Sequence, residues 1–225
     1  MRVATNFAAA VVAIASVSAF AGASQATIYI GLQNAAMNAG LLTQVSTGAT
    51  FATYSAAYGT FELESVFGGD GVAPTLLGST TFDLNNTGGA GGVLEVYVTR
   101  DNIMDTPPNF RSTFTSNVLP ARWTVLQRTY YSATNQVFAG ALLSTHLFNT
   151  PGPATFDDTV YVAANAGPYS LTTRYTITAP TVGLSQNTIS IHAGVPEPGT
   201  WALMIMGFGG AGAMLRARRR STVTA

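Results

Sequence analysis

From Tyr169 to Thr178 the chain alternates with period two. Tyr169, Leu171, Thr173, Tyr175 and Ile177 fall on one side, and Ser170, Thr172, Arg174, Thr176 and Thr178 on the other. A helix cannot segregate residues this way, but a strand with one buried face does. Leu94, Val96 and Val98 alternate likewise with Glu95, Tyr97 and Thr99. Comparable runs lie at Phe51–Tyr58, Thr60–Phe67, Ser79–Leu84, Trp123–Tyr131, Gln136–Leu147, Thr159–Ala163 and Thr188–His192. Between them stand turn formers: Gly68-Gly69-Asp70-Gly71, Asn85-Asn86-Thr87-Gly88-Gly89, Pro107-Pro108-Asn109, Pro151-Gly152-Pro153 and Ala166-Gly167-Pro168. Short strands at this spacing predict an all-β fold, an antiparallel β-sandwich of jelly-roll-like type. One short helix is expected near Asn34–Gly40, and Gly88–Gly92 reads as a hairpin loop. No internal repeat points to a solenoid or propeller.

The N-terminus reads as an export signal. Arg2 supplies the charge, Phe7–Phe20 the apolar stretch, and Ala21-Gly22-Ala23 a small-x-small cleavage site, with Ser24-Gln25-Ala26 as the alternative. Cleavage after Ala23 or Ala26 makes residues 1–26 a signal peptide and leaves one exported domain, residues 27–194. Within Thr27–Val195 five arginines face nine carboxylates, a net charge of −4, and the whole chain has no lysine. Such a domain has no electrostatic reason to bind nucleic acid. With no cysteine anywhere, thiol catalysis, thiolate metal sites and disulfides are excluded; the domain relies on its core.

The last thirty residues differ in kind. Pro196 and Pro198 flank Glu197, fix φ and remove two backbone donors, so this segment is an extended linker. Trp201 to Leu215 follows, an apolar run carrying Ala202, Leu203, Met204, Ile205, Met206, Phe208 and Met214. Arg216, Arg218, Arg219 and Arg220 close it. Fifteen residues make about 22 Å of helix, a transmembrane helix that is short for the roughly 30 Å hydrocarbon core. Gly207, Gly209, Gly210 and Gly212 weaken that helix and allow close packing on another. The arginines place residues 221–225 in the cytoplasm and the domain outside.

In this order, the three parts resemble the PEP-CTERM family in its PEPxxWA variant, from Val195 to Arg220. The resemblance implies a bacterial exported protein, cut near Pro196–Pro198 by a membrane exosortase. It also implies a transient stay in the inner membrane, release to the cell surface, and an association with exopolysaccharide and biofilm. A domain label mentioning ice binding attaches to such tails and describes only the tail. No regular Thr-x-Thr array runs along the domain's sequence.

The domain offers little chemistry. Glu62 and Glu64 share a strand face about 6.7 Å apart, the range of inverting glycosidases, but Phe61 and Leu63 beside them read as the inward residues. Asp70, Asp83, Asp157 and Asp158 lack a calcium-loop pattern. His146 and His192 are too few for zinc, and Ser185 misses the Gly-x-Ser-x-Gly elbow. Tyr54, Tyr58, Tyr130 and Tyr131 are candidate stacking platforms for a sugar, whereas Trp123 reads as core. No catalytic residue, metal or cofactor is expected. The reading is a structural or adhesive exported protein. The alternatives are a carbohydrate-binding module and, more remotely, a glycan-processing enzyme.

Overall fold

The computed structural model describes residues 25–221 except 72, 89–90, 163, 165–166 and 195–197. The strands are β1 (Ile28–Gln33), β2 (Thr43–Gly48), β3 (Phe51–Tyr58), β4 (Phe61–Gly69), β5 (Thr75–Asn86), β6 (Gly92–Ile103), β7 (Phe110–Val118), β8 (Thr124–Ser132), β9 (Ala141–Phe148), β10 (Ala154–Val160), β11 (Tyr169–Ala179) and β12 (Gly183–Ala193). A helix, α1 (Pro198–Ser221), follows. The first sheet runs β2-β1-β6-β11-β8-β9 and the second β10-β7-β12-β5-β4-β3. All pairings are antiparallel.

The order has a simple origin. Strands β5 to β8 fold back on β9 to β12, so that β5 meets β12, β6 meets β11, β7 meets β10 and β8 meets β9. Rolling that ribbon lets β7 reach β12 and β8 reach β11, which is the eight-stranded jelly roll. The four earlier strands widen both layers on one side, β1 and β2 beyond β6, β4 and β3 beyond β5. The fold is therefore the expected antiparallel sandwich.

The core lies between the sheets. Trp123, Tyr169, Tyr175, Phe61, Phe110 and Phe114 are the largest fully buried side chains. They come from alternate inward positions of both layers. Polar contacts cross the same space. The Tyr175 hydroxyl of the first sheet donates to the Ser79 carbonyl at 2.8 Å and accepts from the Ile189 N–H at 3.0 Å. The Ser112 and Thr129 hydroxyls meet at 2.7 Å. Each buried polar atom so satisfied avoids a cost of about 1–3 kcal/mol.

Several expectations are corrected. Of the short helix expected near Asn34–Gly40 only one 3-10 turn forms, Asn38–Gly40. Asn38, Ala39 and Gly40 take φ of 47°, 54° and 74°, a left-handed turn. Residues 35–39 are exposed, so no apolar face is available to stabilise a helix. Gly88–Gly92 is not a hairpin, because β5 and β6 belong to different sheets. The expected strand Gln136–Leu147 begins only at Ala141, since Asn135, Phe138 and Gly140 have positive φ and make a loop. β10 runs Ala154–Val160 rather than Thr159–Ala163, whose last residue lies outside the described ones. β1, β2 and β7 were not anticipated.

Candidate functional site

Helix α1 is 24 residues long, and its described large apolar side chains are exposed. Phe208 is 74 % exposed, Ile205 70 %, Leu203 69 %, Met206 65 % and Met214 78 %. They spread around the axis instead of forming one stripe, the pattern of a helix meant to be surrounded. A Cβ at Gly207, Gly209, Gly210 or Gly212 would meet nothing within 4 Å. Arg216 is exposed, and Arg218, Arg219 and Arg220 occupy the last turns. Among the described residues no helix is long and apolar enough to cross a membrane, which corrects the expected transmembrane helix. The apolar part ends at Leu215, and the arginines fill out the rest of the length. Pro196, Glu197, residues 222–225 and the N-terminal residues up to Ala23 lie outside the described ones; Ala26 stands just before β1.

The sequence candidates in the domain fall apart. Tyr58 is buried, its hydroxyl donating to the Leu32 carbonyl at 3.3 Å. Tyr131 is buried against Phe110 and Tyr169, with ring centroids 5.4 and 5.3 Å away. Neither can stack on a sugar, because both point inward. Tyr54 packs half-buried on the core from the second sheet, and Tyr130 lies half-exposed on the first. Trp123 is core, as expected.

Glu62 and Glu64 do face water, but Glu64 is hydrogen-bonded to Asp83. That bond, then the Asp83 charge and slight burial, raise the Glu64 carboxyl above its ordinary range. Asp83 also accepts from Gln186 Nε2. The other acids are dispersed: Asp70 pairs with Arg100 at 2.7 Å, Asp157 with Arg111 at 3.1 Å, and Asp158 accepts from Ser144 Oγ at 2.7 Å. His146 stacks on Phe156 at 4.1 Å, and His192 Nδ1 lies 2.9 Å from Thr75 Oγ1. Burial lowers both imidazoles, helped at His192 by the Arg111 charge. Ser185 is fully buried and bonded to Asn187.

The outer face of the first sheet carries a cluster that the sequence reading missed. Register sets Tyr97 opposite Arg174, and Arg174 opposite Arg128. Arg174 Nη2 bonds Glu95 Oε1 at 2.5 Å, and its guanidinium lies 5.0 Å from the Tyr97 ring centre. Tyr97 donates to Glu95 Oε2 at 2.7 Å. Beside them is a hollow of about 340 Å³ lined in part by Gln33, Asn34, Glu95 and Arg174. The other end of this face is roofed by residues 133–140, where the Phe138 N–H donates to Thr99 Oγ1 at 3.1 Å.

Burial pushes the Glu95 carboxyl up, but hydrogen bonds from Arg174 and Tyr97, the Arg174 charge and the Thr176 hydroxyl outweigh it and hold the carboxyl below its ordinary range. The stability it contributes is full above its unfolded pKa, about 4.3, and is lost as pH falls through the lower folded value. Glu95→Gln should therefore lower Tm at neutral pH and converge on the parent once pH has fallen through the lowered folded value. A Tm gap of equal size at both ends would show that the carboxylate charge is not what matters.

The second sheet presents a different surface. Its pairing aligns Thr155, Thr115, Thr188, Thr80, Phe67 and Thr53 in one row across six strands. The next row holds Asp157, Thr113, Ser190, Gly78, Gly69 and Phe51. Phe51 and Phe67 stack 6.4 Å apart and stand 59 % and 41 % exposed. Short side chains keep the middle of this face flat. A threonine row thus exists across the strands, although none runs along the chain.

No curated protein matches this chain. Among solved structures, TmCBM27, a carbohydrate-binding module studied for mannan recognition, aligns at 11% identity and a TM-score of 0.31 over 62% of this chain and 83% of that one. A carbohydrate-binding module of Cellvibrio mixtus lichenase 5A, in complex with cellotriose, gives 14% and 0.28 over 65% and 99%. The enzymatically active domain of bacteriophage CBA120 tailspike protein 4 gives 12% and 0.30 over 74% of this chain, which spans only 18% of that one. Likeness this distant says nothing of what the chain binds. The tail is another matter: the proline pair, the Trp201-Ala202 that follows, the bare helix and its arginines fall together within residues 194–220, which match the PEP-CTERM protein-sorting motif.

Proposed function

We propose that this chain is an exported protein whose tail hands it to a membrane exosortase, and whose sandwich serves a structural or adhesive role outside the cell. The observation that carries this is α1: a helix with its apolar side chains bare, behind the proline motif and ahead of the arginines. Its partner must be a membrane or an enzyme within one. On this reading residues 1–26 are removed on export. The precursor sits briefly at the inner membrane, and the domain is then released to the surface, among exopolysaccharide. On this reading the domain's role is non-enzymatic: Asp70 and Asp157 are held in ion pairs and Glu64 lies beside Asp83.

A second reading, a carbohydrate-binding module, is favoured by the outer face of the first sheet, where Arg174 and Glu95 meet the amides of Gln33 and Asn34 around a hollow and Tyr130 lies half-exposed nearby.

Intact mass of the mature protein from the native host, with and without its exosortase, tests the sorting. Loss of the segment after Pro196–Pro198 only when the enzyme is present is the expected result. An identical unprocessed tail in both strains would sink the reading.

A further inference from the structure

The domain is acidic, yet among the described residues two of its five arginines have no carboxylate partner. Of the five arginines between Thr27 and Val195, three are in ion pairs: Arg100 with Asp70, Arg111 with Asp157 and Arg174 with Glu95. Arg122 sits exposed in the turn before β8. Arg128 is half-buried in the middle of β8, and among the described residues it has no carboxylate partner.

Its position makes this costly. Arg128 lies directly opposite Arg174 on β11, and like charges facing each other across strands are destabilising. Glu95 is already engaged by Arg174 and Tyr97, and no contact joins it to Arg128. Arg174 Nε is buried with no hydrogen-bond acceptor. The arrangement is short of one anion. A guanidinium fork matches a carboxylate in two parallel bonds.

Apart from Arg174 and Glu95, the groups in register around Arg128 are neutral and suited to hydroxyls. Thr145 faces Arg128 from β9, and Tyr130 is two residues along the same face of β8. Thr176 and Gln33 flank Glu95 in register. A compact inorganic anion would leave most of these groups unused, whereas a sugar acid would use both kinds.

We propose that this face of the first sheet binds a carboxylate-bearing polysaccharide, a polyuronate, with Arg128 holding the carboxylate and Tyr130 and the neighbouring hydroxyls and amides meeting the sugar ring. This rests on the carbohydrate-binding reading above and names its ligand class. Binding weakens as salt rises, since the contact is half-exposed.

The test is calorimetric titration of the full-length chain in detergent micelles. The probes are a polyuronate, the same polymer with its carboxyls reduced, and a polyphosphate. Polyuronate is expected to bind, with the reduced polymer and the polyphosphate at least about tenfold weaker, the scale of one charge-assisted bond. Arg128→Gln should weaken polyuronate binding about 10- to 100-fold, while Arg122→Gln, which removes the same charge elsewhere, leaves it unchanged. Arg128→Gln should also keep or raise Tm, because it relieves the repulsion with Arg174; a lower Tm would mark the arginine as structural and overturn the proposal. Equal binding of the reduced polymer, indifferent to Arg128→Gln, would overturn it and leave carbohydrate binding standing. Polyphosphate binding as tight as polyuronate would reduce the site to a general anion site and overturn it too. Binding of neither sugar polymer would sink both readings.

Discussion

Replacing Trp123 with alanine is expected to lower the unfolding free energy by about 3–5 kcal/mol, the range for a buried aromatic. The indole is fully buried and closes the end of the sandwich where β7 passes to β8 and β11 to β12. A Cβ built on Gly183 would lie 3.1 Å from its ring, and Nε1–H donates to Thr181 Oγ1 at 3.2 Å. Truncation therefore opens a cavity and strips a hydroxyl of its donor together. A domain of this size holds only about 5–15 kcal/mol in total, and this chain has no cysteine to form a disulfide. The melt should fall by roughly 6–20 °C. Leu203→Ala, on the exposed helix, is the control and should stay within about 0.5 kcal/mol of the parent. A loss below about 1 kcal/mol at Trp123 would place the indole outside the cooperative core.

Trp123 was readable as core from its neighbours, because the run after it alternates cleanly. The same holds for β6, β11 and β12, where inward Leu94, Val96, Ile177, Ile189 and Ile191 mark one face. β7 escaped notice because its inward positions alternate Phe110 and Phe114 with Ser112 and Ser116, and two serines dilute the apolar signal. Ser112 belongs inside only because Thr129 of the facing sheet bonds it. β1 escaped for the opposite reason: Ile30, Gly31 and Leu32 are buried consecutively, so there is no alternation to read. Its Gly31 is packed under Phe138 from the loop that roofs this face.

The candidate site was harder still. Tyr58 and Tyr131 have the composition of a sugar platform and the orientation of a core, and a ring's direction follows from register, which the sequence does not print. The placing of Arg128 opposite Arg174 joins residues 46 positions apart and exists only because β8 and β11 pair in one particular register. The threonine row crosses six strands, so a scan along the chain meets its members one at a time. The sorting tail needs no partner strand to be recognised, and it was legible for that reason.

Ile205→Asp in α1 is expected to abolish removal of the tail while leaving the melting of the sandwich unchanged. Ile205 is 70 % exposed, so no contact within the domain is lost. A long apolar span tolerates one charge. This helix has no such reserve, since among the described residues none is long and apolar enough to cross a membrane unaided. An aspartate mid-helix costs about 2.5–3.5 kcal/mol on transfer into the membrane, roughly 70- to 400-fold in occupancy. Leu203→Ile, which keeps the apolar surface, should be processed normally. The readout is intact mass of the secreted and cell-bound protein beside a thermal melt of the purified chain. Normal processing of Ile205→Asp would mean the enzyme reads the proline motif and arginines alone, and the bare helix would then need another reason to exist. Loss of processing together with a lower melting point would mean that α1 packs on the sandwich in solution, and the tail would no longer be a separate signal.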